Sequence, residues 1–129
     1  MRLRYIKYGI LLSAAYFYSS GCGTDSEGAP ADPGLVKIGQ EAYKTAACIT
    51  CHTIDGRPFT APTFKGLYGK EEELADGSKI IVDDAYLRES ILDGAAKVVK
   101  GYNPLHPPFK SMLTPEQVDG LIAYIKSLK

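Results

Sequence analysis

The sequence predicts a small all-α domain with a short β-hairpin inserted between its helices. Two segments, 35–46 and 114–128, carry apolar residues at the spacing of one helix face. Between them, the pair Asp76-Gly77 separates two short segments and is a typical hairpin turn. A chain of 129 residues is long enough for one such domain, so we expect a single folded unit over residues 35–129.

The first 21 residues are predicted to be an export signal. Basic residues precede an apolar stretch at 10–17, and small residues follow that stretch. The basic residues are Arg2, Arg4 and Lys7. The apolar stretch is too short for a membrane-spanning helix, which needs about 20 apolar residues. We therefore expect this segment to be removed and the protein to be exported.

Cys22 follows the export signal at the place where a bacterial lipoprotein carries its lipidated cysteine. Ser20 and Gly21 before it resemble a lipobox, which predicts a lipid anchor on the periplasmic side of the cytoplasmic membrane. The alternative is a plain secretory signal that leaves Cys22 as a spare thiol. Residues 22–34 are rich in Gly, Ala, Pro, Asp and Ser, which is the composition of a flexible linker between anchor and domain.

The charge balance argues against a nucleic-acid partner. The chain has 15 basic and 15 acidic residues, and removal of the three basic residues of the export signal leaves a mildly acidic remainder. Nucleic-acid binding depends on clustered Lys and Arg against phosphate, and the sequence has no such basic stripe. We therefore expect no nucleic-acid partner.

The first helix is predicted directly before a pair of cysteines. Its apolar or small residues share one face. They are Leu35, Ile38, Gly39, Ala42, Tyr43 and Ala46. A loop rich in Gly, Pro and Thr follows at 53–69, and it is long enough to wrap around the edge of a bound group.

A hairpin and a second helix are predicted in the middle of the domain. Residues 71–82 form the short, exposed hairpin around the turn described above. Asp83 or Asp84 then caps a helix at 85–93, and Gly94 is expected to end it.

The last helix is the clearest element of the sequence. It follows an irregular segment at 101–110, whose three prolines cannot continue a helix. Residues 114–117, Thr-Pro-Glu-Gln, supply an N-cap, a proline at the first helical position and a capping-box glutamine. Gly120 lacks a side chain within this helix, and Gly39 on the first helix is its expected partner in a close helix crossing.

The segment Cys48-Ile49-Thr50-Cys51-His52 predicts the chemistry. Two thiols at this spacing, followed directly by an imidazole, let each sulfur add to a vinyl group of one haem while His52 reaches the iron. We therefore predict one covalent haem c on Cys48 and Cys51, with His52 as an iron ligand. A thioredoxin-type redox pair normally follows a strand, and no strand is predicted before Cys48. A zinc site needs two further ligands, but only one more histidine and no second cysteine pair exist.

The second iron ligand is either His106 or Met112, unless the iron is open to water. His106 is the other of the two histidines and lies in the proline-stiffened segment before the last helix. Met112 follows that segment, where the alternative role is to fill the core. The residues alone leave these possibilities open.

Taken together, these segments resemble class I cytochrome c domains. The similarity is greatest to the cytochrome domain fused to subunit II of some cytochrome c oxidases and to monohaem cytochromes of related respiratory complexes. It extends over most of residues 35–129. The matching stretches are Cys48-Ile-Thr-Cys-His52, Ala61-Pro-Thr-Phe-Lys-Gly-Leu-Tyr-Gly69, Ala85-Tyr-Leu-Arg-Glu-Ser-Ile-Leu92, Gly101-Tyr-Asn-Pro104, Pro107-Pro-Phe-Lys110 and Leu121-Ile-Ala-Tyr-Ile-Lys-Ser-Leu128.

The resemblance implies the class I cytochrome fold and electron transfer between respiratory-chain components, with an oxidase or a quinol-oxidising complex as partner and no enzymatic activity. His106 falls on the position of the family's axial methionine, which makes it the expected sixth ligand. A bis-histidine iron has a lower potential than its methionine-ligated relatives, because imidazole favours ferric iron. Pro62 matches the proline whose carbonyl accepts a hydrogen bond from the first histidine.

Three further side chains are expected to bond to the haem propionates, although each also fits a role as a packing aromatic or a solvated charge. They are Tyr68, Arg88 and Tyr102. The alternative function is a haem-based gas sensor or peroxidase in which His106 leaves the iron. The sequence offers little support for it, since no general acid or base is evident near the second ligand.

Overall fold

The computed structural model describes residues 31–129. Its elements are the helices α1 (Pro33–Thr45), α2 (Asp84–Leu92) and α3 (Pro115–Ser127), and the strands β1 (Glu71–Glu73) and β2 (Lys79–Ile81). Single 3₁₀ turns occur at Cys48–Thr50 and Phe109–Ser111. The three helices and the small sheet confirm the predicted all-α domain with an inserted hairpin. The export signal, Cys22 and all but the last four residues of the predicted linker lie outside the described residues.

Helix α1 begins earlier than the sequence analysis expects. The Asp32 side chain accepts hydrogen bonds from the backbone N–H groups of Gly34 and Leu35, and Pro33 occupies the first helical position. This cap satisfies donors that a helix otherwise leaves unpaired, so the chain is already helical at Pro33. The predicted boundary at residue 35 is therefore two residues too late.

Helix α3 crosses α1 at two glycines. Thr114 caps α3 with the predicted capping box, in which the Thr114 side chain and the Gln117 side chain each bond to the other residue's backbone N–H. A Cβ atom on Gly39 would lie 1.9 Å from the carbonyl oxygen of Gly120. The helix backbones therefore touch at this point, which confirms the predicted close crossing of the two helices.

The hairpin connects the loop after the cysteine segment to α2. Strands β1 and β2 are antiparallel, with Glu72 opposite Ile80. Gly77 has a φ angle of 84°, which glycine adopts without strain, so the turn lies where the sequence predicts it. An isolated bridge between Leu74 and Val99 joins the hairpin to the segment that precedes the 101–110 loop. The hairpin thus packs on the domain rather than extending from it.

Helix α2 ends for a reason that the sequence analysis did not give. Asp83 caps its start by accepting a hydrogen bond from the backbone N–H of Tyr86. At its other end Asp93 is the C-cap, with φ of −144°, and Gly94 is absent from the glycines with positive φ. The helix thus ends one residue before the predicted end and beside Gly94, but Gly94 does not adopt the left-handed conformation that is common for a glycine after a helix. Gly94 is close to a side chain of the 101–110 loop instead.

The core lies between the three helices and the loops that join them. The largest of its fully buried side chains come from α3 and from the residue after β2. They are Leu121, Ile125, Val82 and Val118. Among residues 31–129, no helix has both the length and the apolar character needed to span a bilayer.

Candidate functional site

A cavity of about 370 Å³ lies between the cysteine segment, α2, the 101–110 loop and α3. Its volume falls within the range of small-molecule and cofactor sites, about 300–1,000 Å³. Of the residues predicted from the sequence, seven line it: Cys48, Cys51, His52, Pro62, Tyr102, His106 and Met112. Most of the other lining residues are apolar, so the cavity suits a large apolar group with a few polar attachment points.

The cysteine segment is held in place by α1. Ala47 adopts the left-handed conformation, with φ of 57°, and this reverses the chain directly after the helix. The 3₁₀ turn then brings Cys48 and Cys51 to the cavity wall, both half-buried and both as free thiols. Burial raises the pKa of the Cys48 thiol. The hydroxyl of Tyr43 on α1 donates a hydrogen bond to the His52 carbonyl at 2.6 Å, which fixes the end of the segment.

His52 is oriented by a loop carbonyl and an aromatic ring. Its Nδ1 atom lies 2.7 Å from the carbonyl oxygen of Pro62. A carbonyl can only accept, so Nδ1 carries the proton and Nε2 keeps a free lone pair. The Phe64 ring stacks on the imidazole, with 4.4 Å between centroids and 26° between planes. Burial lowers the pKa of His52, and this favours the neutral form that binds metals.

His106 faces the cavity from the opposite wall. Its Nδ1 atom lies 3.0 Å from the carbonyl oxygen of Pro107, so the same argument leaves Nε2 free to bind a metal. The edge of its ring meets Phe109, with centroids 5.2 Å apart and planes at 75°. Burial lowers the pKa of His106 as well, which again favours the neutral imidazole.

The separation of the two imidazoles tests whether they fit one iron. Their ring centroids are 6.4 Å apart, with 67° between the ring planes. Two metal–nitrogen bonds of about 2 Å, each extended by about 1.2 Å from the nitrogen to its ring centre, span about the same distance. The two histidines therefore fit the predicted haem, whose thioether bonds would form at Cys48 and Cys51.

The remaining predicted residues divide into two groups. Tyr102 and Met112 line the cavity, and Met112 is 63% exposed. Tyr68 and Arg88 are not among the lining residues in the described part of the chain. The Lys126 ammonium group lies over the Tyr68 ring at 4.7 Å from its centroid.

Arg88 forms an ion pair with Asp119, so α3 supplies its charged partner. The structure thus places Tyr68 and Arg88 against α3 and outside the cavity lining, and their bonds to the propionates stay a prediction. The physical reason is that charged residues of α3 lie on the same side of the domain. Their packing across two helices has no signature in the local sequence.

Two aromatic residues at the site were not singled out from the sequence. Phe64 stacks on His52, and Phe109 contacts His106. Both lie in segments rich in proline and glycine, where periodicity gives no information. The only indication in the sequence was a large aromatic residue in a segment of this composition. The structure shows both residues buried, which is uncommon in an ordinary surface loop.

The chain is similar to known proteins in both sequence and fold. The sequence matches the family described as Cytochrome c over residues 36–129, a range that includes every residue lining the cavity. Among solved structures, the fold is similar to that of cytochrome cH from Methylobacterium extorquens, with 26% sequence identity and a TM-score of 0.54. That similarity covers 71% of this chain and 97% of the other. No curated protein sequence matches the chain.

Proposed function

Because the chain belongs to the cytochrome c family, we propose that it is an electron carrier of a bacterial respiratory chain whose iron ligands are His52 and His106. As a monohaem cytochrome it binds haem c covalently through Cys48 and Cys51. The bound haem supplies the one-electron redox change. The chain itself supplies the attachment points, two oriented imidazoles and a largely apolar cavity.

One observation carries the proposed ligation: two imidazoles lie across the cavity from each other at the separation that one iron requires. Each is also held in the same tautomer by a backbone carbonyl, from Pro62 on one side and Pro107 on the other. A hydrogen-bonded Nδ1 is the usual second partner of a metal-bound histidine, because it fixes the ring and raises its basicity. The site is therefore prepared for two nitrogen ligands.

The ligand pair has a consequence for the potential. Thioether ligation stabilises ferrous iron, whereas a second imidazole stabilises ferric iron. The proposed ligation thus assigns this protein to the low-potential side of its family. Its electron donor must be correspondingly reducing.

Near-infrared absorption of the oxidised holoprotein tests the ligation. Methionine-ligated ferric haem has a sulfur-to-iron charge-transfer band at about 695 nm, and we expect this band to be missing from the native protein. The variant His106→Met is the matched positive control and should gain the band. A native protein with the band would have Met112 as its ligand, and the proposal would fail.

We expect no enzymatic activity. Within residues 31–129, the lining of the cavity includes no carboxylate that could act as a general acid or base. A carrier also keeps both iron positions filled, so reduced holoprotein should bind carbon monoxide slowly and incompletely at neutral pH. Rapid and complete binding would favour the gas sensor or peroxidase.

The proposed location is the periplasmic side of the cytoplasmic membrane, with a lipid anchor at Cys22 and a respiratory oxidase or quinol-oxidising complex as partner. The export signal and the position of Cys22 after Gly21 support this proposal. Fractionation of cells that express the native protein or Cys22→Ser tests it. The native protein should sediment with membranes, and the variant should be released in soluble form. Release of both proteins would refute the anchor, and copurification with an oxidase tests the partner separately.

A further inference from the structure

We propose that Gly94 is a positioning residue for His106, and that its missing side chain provides the space in which the distal imidazole stays on the iron. This inference rests on the proposed ligation by His106. A Cβ atom on Gly94 would lie 2.2 Å from Cγ, 2.4 Å from Cβ and 2.5 Å from Nδ1 of His106. Distances this short cannot exist between non-bonded heavy atoms, so either residue 94 or the imidazole would have to move.

The contact involves the base of the His106 side chain. Its Cβ atom is fixed by the backbone and cannot rotate away, and Cγ, one bond further, can move only by a change of the χ1 rotamer. The backbone there is stiff, because Pro104, Pro107 and Pro108 each fix one φ angle. An added methyl group on residue 94 therefore displaces the ring as a whole.

Space, rather than backbone conformation, explains the glycine at this position. Gly94 is absent from the glycines with positive φ, so alanine fits its backbone. Gly77 is the opposite case, with φ of 84° and no heavy atom within 4 Å of the added Cβ position. These two glycines provide a matched pair of substitutions, one that removes space beside His106 and one that strains a remote turn.

Other contacts limit where the His106 ring can go. Phe109, which is 6% exposed, meets the ring at its edge, and the Pro107 carbonyl accepts from Nδ1. A metal–nitrogen bond is about 2 Å long, so a shift of about an ångström is enough to weaken or break it. Gly94→Ala is therefore expected to leave the haem attached at Cys48 and Cys51 while it loosens the sixth ligand.

The main experiment compares carbon monoxide binding in reduced holoproteins. Gly94→Ala should bind carbon monoxide about tenfold faster or more than the native protein, since overpacking of this kind weakens the displaced contact. Added imidazole should return the oxidised variant to the native low-spin absorption spectrum. Gly77→Ala should bind carbon monoxide at the native rate, even if its midpoint of thermal unfolding falls. A native rate for Gly94→Ala would overturn the proposal, and so would equal acceleration in both variants.

A second pair of variants decides the case in which Gly94→Ala yields no holoprotein. His106→Gly removes the three atoms nearest to the new Cβ, all of which belong to the His106 side chain, so the closest clashes are gone. The double variant Gly94→Ala/His106→Gly should yield as much holoprotein as His106→Gly alone, with a midpoint of unfolding within about 2 °C of it. If the additional alanine were as harmful without His106 as with it, the positioning role would be refuted.

The outcomes also separate this inference from the proposed function. If the native protein shows the sulfur-to-iron band, the proposed ligation by His106 is wrong, whatever the variants do. If the native protein has two imidazole ligands and Gly94→Ala binds carbon monoxide at the native rate, the proposed ligation stands and only the positioning role of Gly94 is wrong.

Discussion

The two sides of the cavity that carry the proposed iron ligands, His52 on the proximal side and His106 on the distal side, are built in different ways. On the proximal side, contacts from two separate parts of the chain hold His52. Helix α1 supplies the Tyr43 hydroxyl on its carbonyl, and the 53–69 loop supplies the Pro62 carbonyl on Nδ1 and the Phe64 ring on its face. On the distal side, His106 bonds to the carbonyl of its own neighbour, Pro107, and otherwise depends on shape. The proximal ligand is thus held by a network of contacts over a long stretch of chain, and the distal ligand by a stiff loop and an empty space.

This difference indicates which side can change. A hydrogen-bonded network loses several contacts when one member moves, so the proximal geometry resists substitution. A ligand that is positioned by shape is sensitive to the size of a neighbouring side chain. We therefore expect changes on the proximal side to affect haem attachment and stability, and changes on the distal side to affect ligation and potential.

The largest effect is expected from the attachment cysteines. Cys48→Ala/Cys51→Ala removes both sulfurs that form the thioether bonds, so covalent haem should be lost completely. A haem stain after denaturing gel electrophoresis measures this, and Cys22→Ser is the matched control that should retain full staining. Haem that stays with the double variant under denaturing conditions would contradict the assignment.

The distal ligand should control the potential. His106→Met should raise the midpoint potential by on the order of 100 mV, because a thioether favours ferrous iron. Spectroelectrochemical titration measures it, and Met112→Leu is the control that should leave the potential unchanged. A shift of the potential that occurred only in Met112→Leu would indicate that Met112, rather than His106, binds the iron.

The two aromatic residues at the site sharpen the comparison. Phe64→Leu and Phe109→Leu each remove part of a buried ring, and each should lower the free energy of unfolding by about 1–2 kcal/mol. Only Phe109→Leu should also speed carbon monoxide binding, since Phe109 borders the distal imidazole. Equal acceleration of carbon monoxide binding in both variants would show that the proximal and distal sides of the cavity are not independent.

The smallest effect concerns an ion pair distant from both histidines. Lys126 lies 3.0 Å from Asp84, and the Asp84 side chain is about half exposed. Burial raises the pKa of Asp84, but hydrogen bonds from Lys126 and Tyr68 lower it by more, so the net pKa is lowered. The pair therefore stabilises the fold above the unfolded pKa of about 3.9 and loses this contribution as pH falls through the lower folded value.

Asp84→Asn should accordingly destabilise the protein by less than about 1 kcal/mol at pH 7, a value reduced by solvent screening at this exposed site. The loss should be smaller in acid, once the pH is below the lowered folded pKa of Asp84 and the native carboxyl is also protonated, than at pH 7. Thermal unfolding in acid and at pH 7 measures it, and the variant should bind carbon monoxide at the native rate at pH 7. A larger loss of stability in acid than at neutral pH would contradict the expected direction of the pH dependence.

Local chemistry made most of the fold predictable. The capping box at Thr114, the turn at Gly77 and the apolar face of the last helix each depend on residues a few positions apart. The crossing of Gly39 and Gly120 was also predictable, because a glycine inside a helix needs a packing reason. The start of α1 was missed by two residues, since the Asp32 cap lies within a segment that has the composition of a linker.

Contacts between distant segments were harder to predict. Gly94 was correctly predicted beside the end of α2, but its close approach to His106 has no signal in the local sequence. Tyr68 and Arg88 were assigned to the haem because tyrosine and arginine suit propionates, and their contacts with Lys126 and Asp119 of α3 were not foreseen. Such pairings depend on how helices pack, which neither periodicity nor spacing specifies.

The central claim is that both histidines of the chain bind one iron. Pulsed electron paramagnetic resonance of the oxidised holoprotein, prepared with nitrogen-15 histidine, counts the histidine nitrogens bound to that iron. We expect two coordinating imidazole nitrogens in a low-spin centre, one from His52 and one from His106. A single coordinating histidine nitrogen, with sulfur or water opposite it, would contradict the account.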